Sequence, residues 1–269
     1  MNREESGSAF TLIADMHVHF YDCYRFEDWV SFLSVNLKRG TGGEGVVRAA
    51  VLAERDDCHS FDDIVSGKLS SKNVAVETID DSAGRCLKLC YMDDPPLFLF
   101  PGRQVNTSEK LELSAWFVDT VIPSGMSAEK TIRLIREKRG LPAINWSPGK
   151  WMFSRREVVR KLLDNEGQQP FFLCDTSLRP VCMPVPKLMK HAADRGIAVV
   201  AGSDPLPFAG EERKAGSYAT LLGGELDAGN PLPGFIAVLN SIKGLQKNAG
   251  KRNSILSTFI SVLRLKMAV

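Results

Sequence analysis

Several enzyme classes are excluded by what this 269-residue chain lacks. It has no Walker lysine loop, no Gly-x-Gly-x-x-Gly turn that follows a strand and opens a helix, and no Gly-x-Ser-x-Gly elbow. Dinucleotide-binding and serine-hydrolase readings lapse with them. No uninterrupted apolar run approaches the roughly 20 residues that cross a bilayer, and Met1 to Ser8 is polar with two acids. That stretch does not read as a secretory signal, so a cytoplasmic location is expected. The six cysteines form no Cys-x-x-Cys pair, which fits reduced thiols and argues against zinc ribbons or a disulfide framework. Charge of one sign is also missing. With Lys+Arg 34 against Asp+Glu 32, the net charge of +2 makes no electrostatic case for a nucleic-acid partner. Internal repeats and low-complexity segments are absent too.

Histidine is scarce, with four in the chain, and two of the four stand two residues apart in Asp15-Met16-His17-Val18-His19. The apolar run-up of Leu12 and Ile13 makes this stretch a strand, and residues two apart on a strand point to one side. Asp15, His17 and His19 would then offer a carboxylate and two imidazoles together, a donor set that suits zinc, manganese or iron.

Length and composition predict one domain over residues 1–269: 44% apolar and 25% charged residues describe an ordinary globular chain. Phe26, Trp29, Val30, Leu33 and Leu37 recur at helical spacing over residues 25–39, with Glu27 and Asp28 in the first turn, Lys38 and Arg39 in the last and Gly40 beyond. A strand over Val46 to Leu52 and a short helix over Phe61 to Leu69 follow. Residues 74–118 change character, with short β-like runs separated by turn clusters at 80–84 and 93–96, and predict an antiparallel excursion. Beyond it, Ser127 caps a helix to Arg139, and Ser154 with Glu157 forms a capping box for a helix stopped by Gly167. A strand at Phe171–Cys174, a helix around residues 185–195 that contains His191, and a strand at Ile197–Ala201 complete a parallel-sheet rhythm.

The last two strands run into Asp175 and into Gly202-Ser203-Asp204. At this point the chain resembles the PHP (polymerase and histidinol phosphatase) family within the wider amidohydrolase-like barrels. His17-Val18-His19 matches the first motif. Gly102-Arg103-Gln104-Val105 with Leu111-Glu112-Leu113 is similar to the Gly-x-Glu-Val segment and its following strand. Leu141 to Trp146 lies where the family has a strand ending in His-Pro, and Gly202-Ser203-Asp204 is similar to its late Ser-Asp-x-His. The resemblance implies a distorted TIM-like (β/α) barrel whose site gathers at the carboxyl ends of the strands. Gln104, Asn145 and Leu206 replace three of the family's metal ligands.

The expected metal ligands are therefore His17, His19, Asp15 and Asp204, holding one divalent ion and at most two, with Asp204 and Asp175 as catalytic carboxylates. His59, beside Cys58, is a further candidate ligand or a loop residue, and His191 reads as structural. Arg103, Lys150 and Arg179 are expected to bind an anionic small-molecule substrate. Trp146 and Trp151 flank a Pro-Gly turn, and Pro205 and Pro207 stiffen a loop over the mouth. Past Leu245 the chain has five basic residues and no acid, and Ile255, Leu256, Phe259, Ile260 and Leu263 mark an amphipathic helix over about 253–267. It either closes the barrel or docks on a partner or an anionic membrane surface. The function expected is metal-dependent hydrolysis of an anionic small molecule, with phosphoesters among the candidate substrates. The rival is a catalytically degenerate PHP-like barrel that binds or scaffolds. The oligomeric state is left open.

Overall fold

Leu12–Val18 is buried at all seven positions, β1, so its polar members Asp15 and His17 lie inside the protein rather than on a solvated face. The computed structural model describes residues 10–41, 45–81, 84–165 and 169–267. The turn residues 82–83, the Gly167 helix stop and the polar start Met1 to Ser8 lie outside them.

After β1 come α1 (Phe26–Thr41), β2 (Val47–Leu52), α2 (Ser60–Val65), β3 (Val74–Asp81), β4 (Gly84–Tyr91) and β5 (Leu97–Phe100). Then follow β6 (Gly102–Asn106), β7 (Glu112–Trp116), α3 (Ala128–Glu137), β8 (Leu141–Asn145), α4 (Ser154–Asn165), β9 (Phe172–Thr176), α5 (Lys187–Asp194) and β10 (Ala198–Gly202). The chain continues through β11 (Tyr218–Leu222), α6 (Pro231–Ser241), β12 (Asn248–Gly250) and α7 (Ile255–Met267). Two mixed sheets result, a seven-stranded one in the order β12-β11-β1-β2-β5-β4-β3 and a five-stranded one in the order β10-β9-β8-β7-β6.

This corrects the expected TIM-like barrel. The sheets are not closed into a barrel, and six of the ten strand pairings among the described residues are antiparallel. At the hairpins the reason is connection length. A parallel neighbour needs a crossover of a dozen or so residues, whereas β3 to β4 and β6 to β7 are joined by short turns that leave only hairpin pairing. The supposed single excursion over 74–118 is also divided: β3, β4 and β5 belong to the first sheet, and β6 and β7 to the second.

The two sheets share an apolar cluster in which Met16 of β1, Phe100 of β5, Trp116 of β7 and Phe172 of β9 meet. Trp116 Nε1 donates to the Met16 carbonyl at 3.0 Å, tying β7 to β1. A second cluster packs α1 on the first sheet through Trp29, Leu33 and Leu37, and a third packs α3, α4 and α5 on the second sheet. Truncating a side chain as buried as Trp29 or Trp116 costs about 3–5 kcal/mol. The sheets also meet through main chain. Asp204 N donates to the His17 carbonyl at 2.9 Å, and on the far side of β2 Glu54 N reaches Gly102 O at 3.0 Å while Gln104 N reaches Glu54 O at 2.7 Å.

Local signals hold with three differences, the first being that the helix expected over Phe61 to Leu69 spans Ser60–Val65. Gly40 lies inside α1 instead of beyond it, since the helix runs on to Thr41; a Cβ there would press on the tip of Ile13 at 2.6 Å and on Ala249 Cβ at 3.1 Å, so the glycine eases the packing of the helix end on the first sheet. Ser154 is the first residue of α4 rather than its cap, and Glu157 turns to Arg160 at 2.8 Å, so no capping box forms. Among the described residues no helix is long and apolar enough to cross a membrane.

Candidate metal centre

Main-chain placement brings the histidines and Asp204 together. The β1–β2 register shifts between Asp15 and Val18, and such a bulge re-aims the residues on either side of it. His17 is the penultimate residue of β1. His19 follows the strand, its carbonyl held by Trp29 Nε1 of α1 at 2.9 Å. Asp204, two residues past β10, has φ +50, in the left-handed region that Asp tolerates better than most residues. That turn and the bond from its N–H to His17 O swing the carboxylate back toward β1.

His17 Nε2 and His19 Nε2 lie 3.1 Å apart, and Asp204 Oδ1 is 3.6 Å from the first and 3.5 Å from the second. These three residues are the group of metal-type donors that the described residues bring within 4.8 Å of one another. Two nitrogens bound tetrahedrally at 2.0–2.1 Å would stand about 3.3 Å apart, so the triangle has the size a metal needs. The far side of the His17 ring strengthens the fit. Ser114 Oγ donates to Asn145 Oδ1 at 3.0 Å and lies 3.0 Å from His17 Nδ1. With its one proton committed to Asn145, the serine accepts from Nδ1–H, which leaves Nε2 with a bare lone pair aimed at the cluster. Metal-bound histidines are commonly held by such outer hydrogen bonds. Burial pushes both imidazoles down to about 4, opposed by Asp204 at His17 and by Glu112 at His19. They are neutral near pH 7, as ligation requires. Burial raises the Asp204 carboxyl, while His17 pulls it down.

Asp15 does not join the triangle. Its carboxylate accepts from His17 N at 3.1 Å, Ser203 N at 2.9 Å, Gly216 N at 3.0 Å and the Ser203 hydroxyl. Burial raises it to about 6, against those four donors. With its oxygens so engaged it clamps the Ser203–Asp204 turn to β1. Asp175 is likewise occupied: Arg179 holds both its oxygens, at 2.8 and 2.6 Å, and Tyr218 Oη donates at 3.0 Å. Arg179 spends a further N–H on Met183 O. Arg103 is buried, donates to the carbonyls of Cys58 and Asp119, and pairs with Glu54 at 3.3 Å. His59 precedes α2, and His191 pairs with Asp164 at 3.0 Å on the surface.

The triangle opens into a cavity of about 280 Å³ that His19 and Asp204 line together with Tyr21, Arg55, Gln104 and Lys150. Lys150 alone of the three expected anion-binding residues lines it, paired with Glu112 at 3.1 Å. Gln104 and Leu206, two of the replaced ligand positions, also line it. Asn145 instead completes the relay behind His17, and its Nδ2 has no acceptor among the described residues. Arg55, Tyr21 and Ser114 escaped the sequence reading. Tyr21 stacks on His19 with ring centroids 5.1 Å apart, and its position two residues beyond His19 was the one available signal.

No family model and no curated protein matches this sequence. Among solved structures the chain is similar to PsfC from Pseudomonas syringae PB-5123, at a TM-score of 0.57 and 12% identity, covering 96% of this chain and 98% of that one. It is also similar to PfuEndoQ, a lesion-specific endonuclease from Pyrococcus furiosus, at a TM-score of 0.51 and 13% identity, covering 88% of this chain and 58% of that one. The chain thus spans little more than half of the endonuclease. At such identities the likeness is one of fold.

Proposed function

We propose that this protein is a metal-dependent hydrolase of PHP type that acts on an anionic small molecule, with a phosphoester as the substrate class the site suits best. One observation carries the reading: two neutral imidazole nitrogens and a carboxylate oxygen converge on one point at the wall of a cavity that also holds two cationic side chains. His17, His19 and Asp204 would hold a single zinc, manganese or iron ion. Bound there, it would supply Lewis acidity and a water acidified toward neutral pH. Lys150 and Arg55 then bind and orient the anionic group, and Gln104 offers an amide to it. Ser114 keeps the His17 proton on Nδ1, and Asp15 fixes the turn that carries Asp204. The committed states of Arg103, Arg179 and Asp175 favour supporting roles for all three.

A second reading, a catalytically degenerate relative of that family that binds without catalysis, draws support from Gln104 and Leu206, a neutral amide and a hydrocarbon where the resembled family has ligands. Elemental analysis of protein purified without chelator, with a phosphoester hydrolysis assay on the same preparation, separates the two. About one equivalent of metal retained through desalting, and hydrolysis lost on His19→Ala, is the expected result. Neither metal nor turnover after manganese, iron or zinc loading would hand the site to the second reading.

A further inference from the structure

Helix α7 is turned the wrong way round for a helix that only covers a core. Its inner face buries Thr258 and Ser261, at 7% and 5% exposure, with the Thr258 hydroxyl donating to the Leu178 carbonyl at 3.1 Å. Its outer face presents Ile255, Leu256, Phe259, Ile260, Leu263 and Met267, each between 46% and 71% exposed. These six fall on one side of the helix at spacings of three and four residues. Six large apolar side chains on one exposed helical stripe are more than a monomer surface ordinarily leaves in water.

The apolar surface extends past the helix. Asn253 O accepts from Val181 N at 2.9 Å, which sets exposed Val181 and Met183 beside the start of α7. Next to them Thr258 borders a cleft of about 540 Å³ walled by Trp146, Trp151 and a run of prolines.

Cations surround this surface. Arg252 donates to the carbonyls of Met183 and Val181 at 3.1 Å each and so lies against its edge. Arg156 and Lys187 line the cleft, no acid does, and the sequence from residue 246 onward contains no Asp or Glu. Arg264 stacks over Phe208 at 4.0 Å on the other flank of the helix.

We propose that the outer face of α7, with the basic residues around it, is a docking surface for an anionic lipid bilayer, on which the protein rests without spanning it. The charge pattern selects this occupant. A second copy would bring the same cations against these, and like charges facing one another oppose association. An anionic headgroup layer over an acyl layer offers both what the apolar stripe needs and what the basic rim needs, since juxtamembrane Lys and Arg are attracted to its surface charge. The inference is independent of the metal site, although Leu265 of the same helix lines that cavity.

The test is vesicle co-sedimentation of the full chain, using phosphatidylcholine vesicles with and without roughly one-third phosphatidylserine. Binding at least about tenfold stronger to the anionic vesicles, weakened by salt, is expected. The double substitution Leu256→Glu, Phe259→Glu should remove it at unchanged melting temperature, since both side chains are exposed. Leu256→Ser, Phe259→Ser, which adds no charge, should weaken it less. Equal binding to neutral and anionic vesicles, or binding indifferent to both double variants, overturns the proposal. So does a dimer on gel filtration that Phe259→Glu converts to monomer, because the face then belongs to a second copy.

Discussion

Strands β9 and β10 lie side by side, and the carboxylates at their carboxyl ends, Asp175 and Asp204, are both buried. Asp175 is saturated, its two oxygens shared among an arginine fork and a tyrosine hydroxyl. Asp204 faces the Nε2 atoms of two imidazoles that burial keeps uncharged. Position at a strand end therefore does not separate a carboxylate saturated by the fold from one that belongs to a group of metal-type donors. What separates them is whether the protein itself supplies the positive partner. At β9 a guanidinium does so from four residues along the chain, and at the β10 turn the missing partner would be a cation from solution.

The largest expected effect follows from that contrast. His17→Ala or His19→Ala should abolish retention of a divalent ion through desalting and move the melting temperature of the metal-free protein little by comparison. A variant that still holds a full equivalent would show that the triangle is not the ion's site. Next comes Arg179→Met, which strands the Asp175 carboxylate in the interior. A loss of about 3–5 kcal/mol is expected from denaturant unfolding, with metal affinity unchanged. Loss of metal affinity in this variant would show that the two strand ends act as one system.

Ser114→Ala probes the outer bond at His17. A drop of about 10- to 100-fold in metal affinity is expected, with a smaller change in stability, as for other outer hydrogen bonds of ligating histidines. Isothermal titration with zinc would measure it.

The smallest effect is a pH slope in the metal-free protein. His17 and His19 are held at about 4 against an ordinary 6.5, so between those values the unfolded chain takes up two protons that the folded one refuses. Stability from this source falls as pH falls from about 6.5 toward 4. Asp15, raised to about 6 from 3.8, acts in the opposite sense, because the folded state keeps a proton the unfolded state gives up. Asp204 is raised as well and acts the same way. The net slope should therefore stay below the two-proton limit of about 2.7 kcal/mol per pH unit. Denaturant midpoints from pH 7 down to about 4.5 would measure it, and a slope of opposite sign would mean that the histidines are charged in the folded state.

The histidine pair was legible in the sequence because the side chains carry their chemistry with them and sit on a strand with a clear apolar run-up. The fate of Asp15 was not, since its partners Ser203 and Gly216 come from 188 and 201 residues away and the bulge after it leaves no sequence mark. Arg103 looked like a free cation for the same reason, since its acceptors are the distant carbonyls of Cys58 and Asp119. Arg179 did so although Asp175 and Met183 stand only four residues away, because nothing in the sequence marks the turn that folds both onto its guanidinium. Helix α1 could be read to within two residues from its periodicity and end charges. Strand direction could not: Leu141–Asn145 is apolar whichever way its neighbour runs, and it pairs antiparallel with β7 and parallel with β9. Helix α6 went unread because Pro231, Pro233 and Gly234 look like a loop, although proline is tolerated in a first helical turn. The three-residue β12 was too short to leave a pattern.

Gly202 sets the spacing of the whole centre by an atom it does not have. A Cβ at this position would stand 2.5 Å from both the Cβ and the N of His17, contacts that no rotamer change could relieve. The separation of His17 from Asp204 is thus written into the main chain as a contact distance between two strands, and side-chain freedom adds little error to it. In machinist's terms the glycine is the gauge block between two parts. Even Gly202→Ala would leave every ligand in place and still misset the gap between them.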